Sequence, residues 1–268
     1  MRVFNLKDIE NFQRIGCVFH AETMPSTSDT AKEKLLEAGD IQLPFLVLCD
    51  QQTAGRGQRG NTWQSNPQSL TFTWCISAES IPIANRPLLS LIAGLSVCEA
   101  IDMTDVPNAK LKWPNDILID RKKVCGILVE KISSADQSWF LVGIGINVNQ
   151  TVDELEAMKQ SSSSFSPGSL RLFSEHEIQI PTLLKNVLQR LSENADSAES
   201  AESEHNWPQQ LNDRFEFLGD SVTFTTPDGG IVTGVFKGVD TSGRIQIDVD
   251  GSSCCFASGQ LSLLQTRH

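Results

Sequence analysis

The stretch from Pro44 to Asn149 limits what this chain can fold into. It alternates short runs of β-branched and aromatic residues with turn-forming Gly, Asn, Asp and Ser, and breaks that rhythm once with a long apolar segment. "PFLVLCDQQ" and "SLTFTWCIS" predict two strands flanking a glycine-rich loop. "AKLKWPNDILI", "KKVCGILVEKI" and "SWFLVGIGINVN" predict three more, parted by "DRKK" and "SSADQ". Asn85 to Ile101 is apolar on nearly every face and too long for a strand, which predicts a buried helix. The pattern is that of an α+β unit: a central mixed, mostly antiparallel sheet with helices packed on one side.

On either side of this core the chemistry changes. "STSDTAKEKLLEAG", Ser26 to Gly39, carries a capping serine, apolar spacing through Ala31, Leu35 and Ala38, and a terminating glycine, so it predicts an amphipathic helix. Gln160 to Ser169 is serine-rich and predicts a mobile loop. Pro181 opens a helical stripe of Leu183, Leu184, Val187, Leu188 and Leu191. "ENADSAESAESEH" lacks large apolar residues and predicts a solvated linker. From Glu216, short alternating strands close on "PDGG", "DTSG" and "DG" turns, the pattern of a small SH3-like β-barrel. The expected division is a domain of residues 1–215 followed by a β domain of residues 216–268.

A chain of 268 residues, 40% of them apolar, is long enough to bury a sizeable core. No segment approaches a membrane span, and the amino end has no apolar signal-peptide core, so a cytoplasmic protein with no membrane role is expected. Seven cysteines without a C-x-x-C pair read as reduced thiols, and with only four histidines no metal centre is expected. A net charge of -11 speaks against nucleic acid as a partner. Positive charge is nevertheless gathered in the first half, at Arg56, Arg59, Lys110, Lys112 and Arg121 to Lys123, so a local anion site fits within an acidic molecule.

"TAGRGQRGNTW" has the composition of such a site. Gly55, Gly57 and Gly60 let a ligand approach backbone N–H groups, and Arg56 and Arg59 add planar cationic donors. It lacks the Gly-Lys-Ser/Thr ending of a P-loop. "KWPND" reads equally as a turn, but Lys112 and Lys123 on neighbouring strands would let two ammonium groups converge on one anion. The glycines of "GIGINVN" imply close approach of a ligand or of another backbone. No Ser-His-Asp or Cys-His arrangement is present, so the natural work of these residues is to position a polyanion during phosphoryl or nucleotidyl transfer.

Taken together, "STSDTA", "QQTAGRGQRGNTW", "KWPNDILIDRKKVCGILVE" and "GIGINVN" resemble, in order and spacing, the motifs of the biotin protein ligases, over about residues 20–150. The closing β segment is similar to that family's carboxy-terminal domain. The resemblance implies a short form without an amino-terminal DNA-binding domain. It implies ATP and biotin as substrates, Mg²⁺ held mainly through ATP phosphates, and a biotin carboxyl carrier domain of acetyl-CoA carboxylase or a related carboxylase as partner. A homodimer is compatible with it. Carried over by position, Arg56, Lys112 and Lys123 would be catalytic. Ser26, Thr27, Ser28, Gln52, Gly55, Arg56, Gly57, Gln58, Lys123 and Gly126 would hold biotin, and Arg56, Gln58, Arg59, Gly60, Trp63, Lys112 and Asn115 the nucleotide. Ser28 and Gln58 depart from the asparagine and arginine common at those positions, and Gln58 removes a charge from the loop. Competing readings are a lipoate or octanoyl transferase, a biotin-sensing repressor, and an anion-binding module without turnover.

Overall fold

A computed structural model describes residues 15–37, 41–134, 136–158, 165–197 and 207–264. Strand β1, Cys17–Met24, leads into helix α1, Thr27–Leu36, and β2, Phe45–Gln52. Then come β3, Ser69–Ser77, helix α2, Leu89–Asp102, β4, Lys110–Lys112, β5, Asp116–Ile119, β6, Lys122–Ser134, and β7, Gln137–Asn147. These strands form one seven-stranded sheet in the order β1-β2-β3-β7-β6-β5-β4. Only β1 and β2 run parallel, joined by α1, so the sheet is mixed and mostly antiparallel.

Strand β2 is apolar without alternation because both its faces are covered. Leu46, Leu48, Phe72, Trp74, Ile144 and Ile146 point to a face packed by α2 and by helix α4, Ile180–Ser197. Phe45, Val47, Cys49 and Cys75 point to the other face, against Ala31 and Leu35 of α1. The two large helices thus share one side, as expected, whereas α1 lies on the opposite side, because a parallel β1–β2 pair needs a crossover and its helix must cover a face.

Several local expectations change for identifiable reasons. The buried helix starts at Leu89, after a 3₁₀ turn over Ile83–Leu88, since Pro87 cannot donate within an α-helix. "AKLKWPNDILI" is two strands, β4 and β5, folded back on each other around Trp113, Pro114 and Asn115. Gly39 and residues 160–164 lie outside the described residues, but Phe165 to Ser169 is an ordered strap, with Lys123 N–H donating to Ser166 O at 2.9 Å and Gly168 N–H to Lys123 O at 2.9 Å. The acidic "ENADS" continues α4, and Asn194 Nδ2 donates to Ser96 Oγ at 3.0 Å. The rest of that linker, residues 198–205, is outside the described residues. Strand β1 and the helices α3, Val152–Ala157, and α5, Trp207–Arg214, are additions to the sequence reading.

The closing segment is a five-stranded antiparallel sheet formed by β8, Ser221–Thr225, β9, Ile231–Val239, β10, Ile245–Val249, β11, Ser252–Phe256, and β12, Gln260–Leu263, in the order β11-β10-β9-β8-β12. Its inward residues Val222, Phe224, Phe236, Ile245 and Ile247 join the core of the large sheet. Trp113 stands 5.8 Å from the Phe224 ring and donates from Nε1 to Gly243 O at 3.3 Å. These contacts hold β12 beside the mouth of the site described next. Phe72 is completely buried in the shared core, so Phe72→Ala is expected to lower stability by about 3–5 kcal/mol in urea titration.

Candidate active site

The strand register builds the site. Thr71 of β3, Gly145 of β7, Gly126 of β6, Asp116 of β5 and Lys112 of β4 stand side by side across five strands. Thr71 pairs with Cys49, which faces α1, so the row lies on the α1 side of the sheet. With strands about 4.8 Å apart, the row runs from a hydroxyl, over two bare glycines, to a charged cluster.

The glycines are there for close seating. A side-chain carbon on Gly143 would stand 3.0 Å from Ser28 Oγ, and one on Gly145 would overlap the Trp63 indole. One on Gly126 would come to 3.2 Å from that indole and 3.4 Å from Lys123 Nζ. The floor thus admits the start of α1 at one position and Trp63 at the next.

At the α1 end, hydroxyls and one amide form a buried network. Ser26 caps the helix by accepting from Asp29 N–H at 3.3 Å. Gln52 Oε1 accepts from Thr27 N–H at 2.7 Å and from Thr27 Oγ1 at 3.1 Å. Thr73 Oγ1 donates to Thr27 Oγ1 at 2.9 Å and lies 3.1 Å from Ser28 Oγ. Among the described residues, Thr71 Oγ1 and Trp63 Nε1 are buried polar atoms without a protein partner, and both adjoin Gly145. Such a wall suits a ligand with its own polar ring atoms.

At the other end, Asp116 lies between two cations, 2.6 Å from Lys123 Nζ and 3.5 Å from Lys112 Nζ. The trio keeps a net positive charge. Burial pushes the Lys112 amine below its ordinary value, with Asp116 acting against that and Lys123 and Arg59 adding to it. Lys112 Nζ also stands 5.1 Å from the Phe165 ring and Lys123 Nζ 6.0 Å from the Trp63 ring, within cation–π range. Asn115 is tied to β6, its Nδ2 donating to Ile127 O at 2.8 Å.

The glycine loop folds over this floor as a tight hairpin. Trp63 N–H donates to Gly55 O at 2.9 Å, Gly57 N–H donates to Asn61 O at 2.7 Å, and a 3₁₀ turn spans Gln58–Gly60. Arg59 takes φ 57° and Gly60 φ 77°, which turns the tip so that Arg59 Nη2 donates to Gly259 O at 2.5 Å. Arg56 points elsewhere, toward Glu130 and Asp29.

Floor, network and loop enclose a cavity of about 250 Å³. Ser26, Thr27, Ser28, Gln52, Arg56, Gly57, Gln58, Arg59, Trp63, Lys112, Asn115, Lys123 and Gly126 all line it. Of the residues singled out in the sequence, Gly55 and Gly60 do not. Gly55 sits beneath the wall against Gln52 and Trp63, and Gly60 has open space around it. The sequence reading gave no site role to Thr71, Asp116, Phe165 or the β12 residues Gln260 and Ser262, while Gly143 and Gly145, read there as points of close approach, also line the cavity. Asp116 and the two glycines stood within motifs already noted, whereas nothing local marks Phe165 or β12.

A cavity with a hydroxyl-amide pocket at one end of a glycine floor and paired lysines at the other, on an α+β sheet closed by a small β unit, has the layout to seat an elongated small molecule with an anionic end. Residues 20–147 match the biotin/lipoate A/B protein ligase family and residues 217–262 the biotin protein ligase C-terminal domain. The chain thus carries a biotin/lipoate A/B protein ligase domain followed by a biotin protein ligase C-terminal domain. It is 35% identical over 154 residues to the bifunctional ligase/repressor BirA of Bacillus spizizenii, covering 57% of this chain and 47% of that protein. The chain thus spans about half the length of that relative. It is 28% identical over 225 residues to a biotin–[acetyl-CoA-carboxylase] ligase of Mycobacterium tuberculosis, covering 81% of this chain and 77% of the relative. Among solved structures it is similar to the biotin protein ligase of Aquifex aeolicus in complex with biotin and ATP, with a TM-score of 0.76, 28% identity, and 93% and 99% of the two chains covered.

The depressed Lys112 amine has a pH consequence. The unfolded chain holds this proton more tightly, so the cost of burying the charge is present below the folded-state value and disappears as pH rises through that value toward 10.5. Lys112→Met, which leaves Asp116 paired with Lys123, is therefore expected to raise the melting temperature at pH 7, with the gain shrinking as melts are repeated toward pH 10.

Proposed function

We propose that this protein is an ATP-dependent biotin protein ligase that forms biotinyl-5'-AMP and transfers biotin to one lysine of a biotin carboxyl carrier domain. The observation that carries this reading is the in-register row joining the hydroxyl-amide pocket to the Lys112–Asp116–Lys123 cluster across a glycine floor. An elongated molecule with a polar ring at one end and a carboxylate at the other matches that layout. The ring would be read by Ser26, Thr27, Ser28 and Gln52, and its carboxylate would reach Lys123 beside Gly126. The nucleotide would lie toward Trp63, Arg59, Lys112 and Asn115, with the backbone of Gly55, Gly57, Gln58 and Gly60 shaping the loop above it.

In the first step a carboxylate oxygen bonds to the α-phosphorus of ATP while the bond from that phosphorus to the bridging oxygen breaks, and pyrophosphate leaves. Two anions must meet, and fixed ammonium groups in a sheltered cleft offset their repulsion. In the second step the neutral acceptor amine attacks the acyl carbon, the bond to the AMP oxygen breaks with AMP leaving, and the nitrogen releases a proton to solvent as the amide forms. Mg²⁺ would arrive with the ATP phosphates. Among the described residues no helix is long and apolar enough to cross a membrane, and no disulfide joins any of the seven cysteines. A reducing, ATP-supplied cytoplasm suits that chemistry, and a carboxylase carrier domain is the expected partner. Division of the chain into a catalytic unit ending near residue 215 and a closing β unit belongs to the same reading.

Intact-mass measurement of a carrier domain incubated with this protein, MgATP and biotin is expected to show one biotin-sized gain on a single lysine, and none with lipoate in place of biotin. A gain with lipoate alone would reverse the substrate assignment. Lys123→Met is expected to slow biotin-dependent pyrophosphate release by about 10²–10³-fold.

A further inference from the structure

Arg56 looks, from its place in the glycine loop, like an anion-binding cation, but both terminal nitrogens of its guanidinium are already held by carboxylates. Nη1 and Nη2 donate to the two carboxylate oxygens of Glu130 at 2.9 and 2.8 Å, a fork-to-fork pair, and Nη2 is also 2.8 Å from Asp29 Oδ1. One positive charge therefore faces two negative ones. A phosphate or carboxylate approaching this guanidinium would meet two carboxylates within hydrogen-bonding distance of it, whereas the Lys112–Asp116–Lys123 trio presents the opposite excess.

The three partners sit on three different elements. Arg56 is at the root of the hairpin and bridges to Thr62 across it, Asp29 is in the first turn of α1, and Glu130 is on β6, four residues beyond Gly126 and on the same face of the sheet. Ser26 to Ser28, at the start of that same α1, form the ring pocket. Resting on the biotinyl-adenylate reading, we infer that Arg56 is a positioning residue rather than a catalytic one, and that Glu130 and Asp29 form with it a latch that clamps the glycine loop to α1 and β6 over the bound intermediate. This takes Arg56 out of the set of three cations and leaves the two lysines to meet the reacting anions. Exposed single ion pairs contribute little, but a bidentate arginine shared by two carboxylates fixes a geometry that a single contact does not.

Neutralising Glu130 separates the two roles by sign. Under the latch, Glu130→Gln loosens the loop, so biotinyl-adenylate leaves about tenfold faster and KM for biotin rises, with kcat for pyrophosphate release less affected. Were Arg56 a ligand-binding cation, removing a competing carboxylate would lower KM for biotin or ATP, and that result, or unchanged release, would overturn the inference. The exchanged pair Arg56→Glu with Glu130→Arg, made together with Asp29→Asn, is expected to recover most of the retention lost in Arg56→Glu alone; failure to recover counts against the latch. Amide hydrogen exchange of residues 55–63 without substrate is expected to be at least tenfold faster in Glu130→Gln than in the parent. That readout tests the latch even if the parent makes no adenylate, an outcome that would count against the ligase reading and not against this one.

Discussion

The site depends on how closely other groups can approach the middle of the large sheet. Gly126, Gly143 and Gly145 leave the floor without side chains, so the start of α1 rests on one part of it and Trp63 on the next. A methyl group at Gly145 would displace the indole, and with it the hairpin that Trp63 closes. The residues of the loop and of the helix cap are therefore placed by atoms that are absent from the sheet, and the cost of glycine in a strand is borne where three neighbouring strands hold it in register.

Charge is sorted by the same sheet. Two lysines on β4 and β6 share one aspartate on β5, which leaves a positive excess in a largely buried place. Desolvation, felt most by Lys112, makes that excess strong toward an incoming anion and costly while it stands alone. On the rim the balance is reversed. Arg56, Asp29 and Glu130 form a net negative group, so the field across the site draws an anion toward the lysines and away from the loop's own arginine.

The carboxy-terminal sheet is part of this arrangement. Gly259, Gln260 and Ser262 form one wall of the cavity, Arg59 reaches across to the Gly259 carbonyl, and Trp113 ties the β4–β5 turn to Gly243. Phe165, from the strap alongside β6, stacks near Phe217 and covers Lys112. The site is thus closed from three directions by segments far apart in the chain.

By itself the sequence determined the elements and the chemical kinds. Runs of β-branched and aromatic residues, alternation in the closing segment and the capping serine marked most strands and α1, and the glycine loop, the "KWPND" turn and Lys123 announced an anion site, because these signals are local. It did not show α1 crossing to the far face, the ordered strap within a serine-rich segment, or which carboxylate each cation pairs with. Those were decided by strand register and by packing, since whether a guanidinium meets a ligand or two carboxylates depends on a glutamate 74 residues away and an aspartate on another element. Only the folded sheet, which brings Glu130, Asp29 and Arg56 within hydrogen-bonding distance while setting Lys112 and Lys123 around Asp116, gives each charge its partner.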